Sequence, residues 1–361
     1  MSDPINKNEK AELLAKKVWK KPLLIILFVL LNVVVIGMTA FNEFGNSENA
    51  AMLSEVKIDW WLLIPATLCF VAAIVLEIYK YVLMIRRAEH KKPTRKTWQV
   101  ARRTVILGKY YDNVTPAAIG GQPFQIYYMH KNGGISAGMA TTIPIIGMIS
   151  NQLGFLVVAV FAIFIGGFLI NNSTLVATAC FGLLFYAFWP IAILIATFLP
   201  KATTEIITLI VKFLAKIRVV KDETAAVKRT RRAIDEYAMS VKAILKTRGL
   251  LLQTIGLSVA FHLLICSIPF FVLTAFGGNI DFLTCLFTTV AVTSAVYFIP
   301  TPGNAGAAEG TFYLVFSGLS SGYVFWAMLL WRFFSYYIYI IMGPITYYLM
   351  HLEKKRDKIE P

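Results

Sequence analysis

Six apolar runs, each about as long as a bilayer is thick, leave this chain few ways to fold. They are Leu23–Phe41, Trp60–Met84, Gln152–Ile170, Leu175–Leu199, Leu250–Phe276 and Tyr323–Leu349. A helix needs about 20 predominantly apolar residues to cross the hydrocarbon core. Of the 361 residues, 57% are hydrophobic, against roughly 45–50% in soluble domains. One core of the chain's own could not bury that much apolar surface, so lipid must serve as its solvent. The first twenty or so residues are polar and the first apolar run is long enough to span, so no cleavable signal peptide is expected.

Charge sets the orientation. Residues 1–22 carry six Lys/Arg, residues 85–103 eight, residues 201–249 twelve and residues 351–361 four, which together are 30 of the 35 basic residues. Segment 42–59 carries Lys57 against four acids, and segments 171–174 and 277–282 carry no basic residue. Basic loops stay in the cytoplasm. The reading is therefore a multi-pass protein of the cell membrane with both termini cytoplasmic and residues 42–59 outside. The net charge of +15 is accounted for by these loops and does not call for nucleic acid.

Two further apolar stretches, 98–150 and 283–318, are broken by Gly and Pro. The chain is inside at Lys96 and must be inside again before Gln152, so the first stretch enters and returns on the cytoplasmic side. By the same count the second starts and ends outside. Each then forms a hairpin of two short helices dipping in from opposite faces, the arrangement of inverted-repeat transporters with a site near the midplane. Two fully crossing hairpins, eight spans in all, would give the same topology. The expected fold is an all-α polytopic membrane helix bundle. Its parts are a basic N-terminus (1–22), a first membrane half (23–200), cytoplasmic or interfacial amphipathic helices (201–249), a second membrane half (250–350) and a cytoplasmic tail (351–361). Within 201–249, Ile206, Ile207, Leu209, Ile210, Phe213, Leu214 and Ile217 recur at helical spacing, which reads as a helix lying in the inner interface. Beyond it a charged helix carries Lys228 to Arg232, a basic face suited to anionic lipid.

Irregular backbone is tolerated at membrane depth only where protein or water surrounds it, which makes the two breaks the first places to look for chemistry. In the stretch from Tyr110 to Met129, Pro116 and Pro123 remove donors, and Gly120 and Gly121 permit a tight bend. Asp112, Asn113, Thr115, Gln122 and Gln125 supply polar groups. Tyr110, Tyr111, Tyr127 and Tyr128 supply amphipathic rings. A Gly-rich break ahead of a short helix exposes N–H groups that suit phosphate, although such a segment could equally just turn the hairpin. From Ile299 to Phe312, Pro300 and Pro302 break a helix, Gly303 and Gly306 allow close backbone approach, and Glu309 falls one turn into the returning helix.

Four ionisable residues lie within or beside apolar runs: Glu77, Lys80, Glu309 and Arg332. A charge at mid-bilayer costs about 2.5–3.5 kcal/mol on insertion scales, so each must face protein, water or ligand. Glu77 and Lys80 share a helix face and can pair or serve ion or proton coupling. Arg332, nine residues past Tyr323, needs a buried partner, with Glu309 the first candidate, or a lipid phosphate. Cys69, Cys180, Cys266 and Cys285 each sit in an apolar run without metal-ligand spacing and read as small hydrophobes. The histidines, His262 among them, show no ligand pattern. No metal, no cofactor and no catalytic motif is expected.

The run from Tyr111 to Met129, the Gly133–Gly134–Ile135–Ser136 turn followed by Ala140, the stretch from Pro300 to Glu309 and Arg332 together resemble the lysylphosphatidylglycerol synthase transmembrane family. That family includes the flippase half of the multiple peptide resistance factor. The resemblance covers roughly residues 20 to 350. It implies a membrane domain that moves a lipid between leaflets, in the setting of lysylphosphatidylglycerol and resistance to cationic peptides. It also implies that the soluble domain taking an amino acid from aminoacyl-tRNA would follow the membrane half. This sequence stops at Pro361, so synthesis by this chain alone is not expected. Relatives often carry an acid and an arginine in the Gly-Gly-x-Pro region, where this chain has Gln122 and Gln125.

The expectation is thus a flippase-like lipid translocase moving a phospholipid, aminoacyl-phospholipid or glycolipid headgroup between leaflets, with anionic phospholipid or aminoacyl-phospholipid the expected partner. Its headgroup contacts would come from Asp112, Asn113, Pro116, Gly120, Gly121, Gln122, Gln125, Tyr127, Pro302, Gly303, Gly306, Glu309 and Arg332. The competing readings are a part in lysylphosphatidylglycerol synthesis or a membrane partner for a separate lipid-modifying enzyme. A homo-oligomer is compatible with each.

Overall fold

A computed structural model of the chain describes residues 58–89, 92–115, 118, 120–169, 199–216, 222, 224–228, 231, 235, 248–296, 299, 301–319 and 323–356, with scattered positions between 177 and 198. The expected span Leu23–Phe41, the loop before Trp60 and most of 175–199 and 217–247 lie outside these residues. Among the described residues the fold is all-helical, without strands, as expected for a polytopic membrane helix bundle.

A short 3-10 turn, Trp60–Leu62, is capped by Asp59, whose Oδ1 accepts from the Trp61 N–H at 3.1 Å. It leads into α1, Leu63–Glu89. Next come α2 (Arg95–Val114), α3 (Gly121–Lys131) and the 33-residue α4 (Ala137–Leu169). The helix α5 (Pro200–Lys216) precedes α6 (Arg248–Ala275), α7 (Phe282–Val296), α8 (Ala307–Ser317) and α9 (Val324–Arg332). A π-helical turn, Phe333–Tyr337, joins α9 to α10 (Ile338–Arg356). Four stretches are long and apolar enough to cross a membrane: Trp60–Glu89, Ala137–Ala162, Gly249–Ala275 and Val324–Glu353.

Each broken stretch is a longer helix, an irregular break and an 11-residue helix. Eleven residues rise about 16 Å, half of a hydrocarbon core about 30 Å thick, so α3 and α8 are each about half as long as a crossing helix. The first stretch is shorter than the expected 98–150. Its hairpin begins at Arg95, where Thr94 and Thr97 exchange backbone-to-hydroxyl bonds as a capping box, and closes in the turn after Lys131. From Ala137 the chain is already in α4, which runs through Pro144 without ending. A helix in lipid is held by packing on its neighbours, which re-satisfy what a proline frees.

Three apolar clusters hold the bundle. Ala66 and Phe70 from the first half of α1 join α6 to α10 through Phe312, Phe316, Phe325, Met328 and Trp331. Tyr81, Met84 and Ile85 from its second half join α2, α3 and α4 through Ala101, Val105, Met129 and Ile143. Phe155, Ala159, Cys266 and Val290 tie α4 to α6 and α7. Between α2 and α3 the neighbours run antiparallel, Asp112 against Gly121 and Gly108 against Gln125. The helix α10 lies antiparallel along α2, with Gly343 under the Tyr110 ring and Glu353 at Gln99 and Arg103. On α5, Ile206, Leu209 and Ile210 are exposed, while Val211 is buried.

Candidate functional site

At the first break α2 ends on Thr115. Its hydroxyl donates to the Tyr111 carbonyl at 2.7 Å and accepts from the Gly120 N–H at 2.9 Å. Asp112 Oδ1 accepts from the Gly121 N–H at 3.0 Å. Gly121 is needed for this approach, because a Cβ there would collide with the Asp112 carboxylate. Pro123 falls in the first turn of α3, where its missing N–H is no loss. The two glycine N–H groups expected to face a phosphate are therefore taken by the protein's own Thr115 and Asp112.

At the second break, Thr301–Gly306, the chain turns through positive φ at Gly303 (58°), Asn304 (55°) and Gly306 (89°). Glu309 Oε2 reaches back to the Gly306 N–H at 2.8 Å, the reach-back half of a capping box. Its Oε1 accepts from Arg332 Nε at 2.7 Å, and Arg332 Nη2 donates to the Gly303 carbonyl at 3.1 Å. The guanidinium also lies 4.8 Å from the Tyr336 ring centroid. Both charges are buried, Glu309 at 1% and Arg332 at 4% exposure. The two breaks thus share a device: a carboxylate one turn from the bend caps the N-terminus of an 11-residue helix. They differ in one respect. Glu309 has an arginine, whereas among the described residues no lysine or arginine comes within ion-pair distance of Asp112.

Other expected site residues separate. Gln125 is buried, its Oε1 accepting from the Tyr81 hydroxyl at 3.1 Å and its amide reaching the Thr104 carbonyl at 3.4 Å. Tyr127 is 55% exposed and faces away from the α2–α3 contact, because the α3 face turned to α2 is Gly121, Gln125 and Tyr128. Asn113 and Gln122 are half-buried and make no side-chain hydrogen bond among the described residues. Pro302 opens the 3-10 turn Pro302–Asn304. Pro116 lies outside the described residues. An aromatic group flanks the first break: Tyr111 stacks on Phe124 at 4.4 Å, and its hydroxyl meets that of Tyr347 at 2.7 Å. The rings of Phe124 and Tyr347 belong to this group as much as the tyrosines picked out by sequence.

Glu77 and Lys80 form a second buried cluster. Lys80 Nζ lies 2.7 Å from Glu77 Oε2, donates to Asn151 Oδ1 at 2.7 Å and to Ser258 Oγ at 3.1 Å. Asn151 Nδ2 donates to Glu77 Oε1 at 3.0 Å, and His262 Nε2 lies 3.1 Å from the Asn151 carbonyl oxygen. Asn151 and Ser258 were not singled out because only ionisable residues mark the spans, and His262, read as a histidine without a ligand pattern, meets the Asn151 carbonyl. The run Ser150–Asn151–Gln152, polar at the edge of an apolar segment, was the available signal.

Apolar helices of spanning length, two half-length helices behind Gly/Pro breaks and ion pairs buried between helices define an integral membrane protein of broken-hairpin type. The model of the lysylphosphatidylglycerol synthase TM region matches residues 23–343, and the chain belongs to that family. No curated protein and no solved structure matches it.

Proposed function

We propose that the chain is a lipid translocase of the cell membrane, moving the headgroup of an anionic phospholipid or aminoacyl-phospholipid between leaflets while the acyl chains stay in the bilayer. One observation carries this reading. The turn Pro302–Asn304 of the second break packs against α2, the helix that leads into the first, so irregular backbone of one hairpin lies against the other hairpin. Membrane proteins keep such backbone where a polar substrate passes. Asp112 and the half-buried Asn113 and Gln122 at the first break, with the Arg332–Glu309 pair at the second, supply polar groups on the two hairpins. The basic loops, read by the positive-inside rule, support hairpins on opposite faces and both termini in the cytoplasm.

The test is leaflet exchange in proteoliposomes of defined composition, with phosphatidylglycerol, its lysyl ester and phosphatidylethanolamine as headgroup-labelled probes. Exchange above protein-free vesicles for any of them supports the reading. Folded protein that moves none of them overturns it. The family's description, a region of a synthase, favours a second reading in which the chain is the membrane partner of a lipid-modifying enzyme. Co-purification with such an enzyme, without intrinsic exchange, would select it.

A further inference from the structure

The environment of Lys80 has the composition of an ion site. Its side chain is fully buried, and its nitrogen faces one carboxylate oxygen, one amide oxygen and one hydroxyl oxygen, at 2.7, 2.7 and 3.1 Å. An ammonium has three N–H donors and no acceptor; two hydrogen bonds go to Asn151 and Ser258, and Glu77 faces the nitrogen as its ion-pair partner. The three oxygens come from three helices: Glu77 on α1, Asn151 on α4 and Ser258 on α6. The Asn151 amide is oriented by its own donation to Glu77 Oε1, which turns its oxygen to the cation. The backbone of Asn151 is in turn tied to His262. A shell of carboxylate, amide and hydroxyl oxygens held by three separate elements is what proteins build for hard cations. Here the cation arrives on a four-carbon stem.

We propose that Lys80 is a tethered monovalent cation: its ammonium fills an oxygen-lined cation site between α1, α4 and α6 that an ammonium ion from solution would otherwise occupy. The site is placed where its filling has a structural effect. The next residue, Tyr81, donates to Gln125 and so fixes α3. The occupied cage therefore sets the rotation of α1 at which the first hairpin is held. The inference does not depend on what the chain transports.

Lys80→Ala keeps Cβ and removes three carbons and the ammonium, the outline of propylammonium. Detergent-solubilised K80A is melted at constant ionic strength in propylammonium chloride, in tetramethylammonium chloride, and in the latter with propanol. Propylammonium is expected to raise the Tm of K80A by about 3 °C over both references, while the Tm of the wild type and of Lys80→Met, whose stem fills the space without charge, does not respond. No response of K80A, an equal response to propanol, or an equal response of the wild type overturns the proposal. If K80A does not fold, the wild type decides. Exchange of Na⁺, K⁺ and N-methylglucamine at fixed ionic strength is expected to leave its Tm unchanged. A Tm that rises specifically with Na⁺ or K⁺ shows a cage open to solution ions and overturns the proposal.

Discussion

Arg332 and Glu309, 23 residues apart in sequence, meet at 2.7 Å through Nε and Oε1, and the same guanidinium holds the Gly303 carbonyl. One side chain thereby ties α9 to both the bend and the returning helix of the second break. The carboxylate is shared in the same way, one oxygen to Arg332 and the other to the Gly306 N–H.

Removing one partner of a buried pair strands the other charge. Arg332→Met is expected to destabilise the solubilised protein by about 3–5 kcal/mol. The double variant R332M/E309Q should recover part of that loss, because neither charge is then left uncompensated. Denaturation curves for the two singles and the double measure this coupling, and a strictly additive double variant would refute it.

Gly303 stands at φ 58° against the Tyr336 ring. Gly303→Ala is expected to cost about 2–4 kcal/mol from left-handed backbone and overpacking together. Gly310, on α8 with open space at its Cβ position, should behave oppositely: Gly310→Ala is expected to gain about 0.5–1 kcal/mol. Thermal melting of the two variants side by side tests both signs.

Asp112 caps α3, with no lysine or arginine within ion-pair distance among the described residues. Asp112→Ala is expected to lose about 0.5–2 kcal/mol of stability with the cap. Asp112→Asn keeps an acceptor for the Gly121 N–H and should lose little. If Asp112 also meets the headgroup, Asp112→Asn will fold normally and yet show reduced leaflet exchange, which separates the two roles.

The charge distribution predicts the sidedness of the chain. In a cysteine-free background, Lys57→Cys is expected to react with an impermeant thiol reagent in intact cells. Lys355→Cys is expected to react only after permeabilisation. The reverse pattern would invert the topology.

Much of the fold was legible because lipid imposes simple rules. Apolar length located α1, α6 and the α9–α10 span, and the pairs Glu77–Lys80 and Glu309–Arg332 follow from the cost of an unpaired charge in hydrocarbon. The breaks at Gly120–Gly121 and Gly303–Gly306 were visible as glycine and proline. What occupies the freed N–H groups was not. That depends on Asp112 and Thr115 lying on the same side of a bend whose geometry the sequence does not specify. The partners of Gln125, Tyr81 and Thr104, were hidden for a related reason: they lie on other helices, and the sequence does not show which residues these bring against it. The early start of α4 was hidden by Pro144, which usually marks a helix end in water and does not here.

The π-helical turn at Phe333–Tyr337 adds a residue to one turn of a long span. Each helical residue advances the face by about 100°, so the turn works as a phase shift in a single shaft. Ahead of it Arg332 serves the second break; behind it Tyr347 and Glu353 serve α2. A regular helix through the same sequence would bring only one of these sets into register. Deleting one residue between Phe333 and Tyr337 would therefore let a regular helix keep both sets in register, whereas inserting one more would rotate everything behind it by about 100° and uncouple the two halves of the bundle.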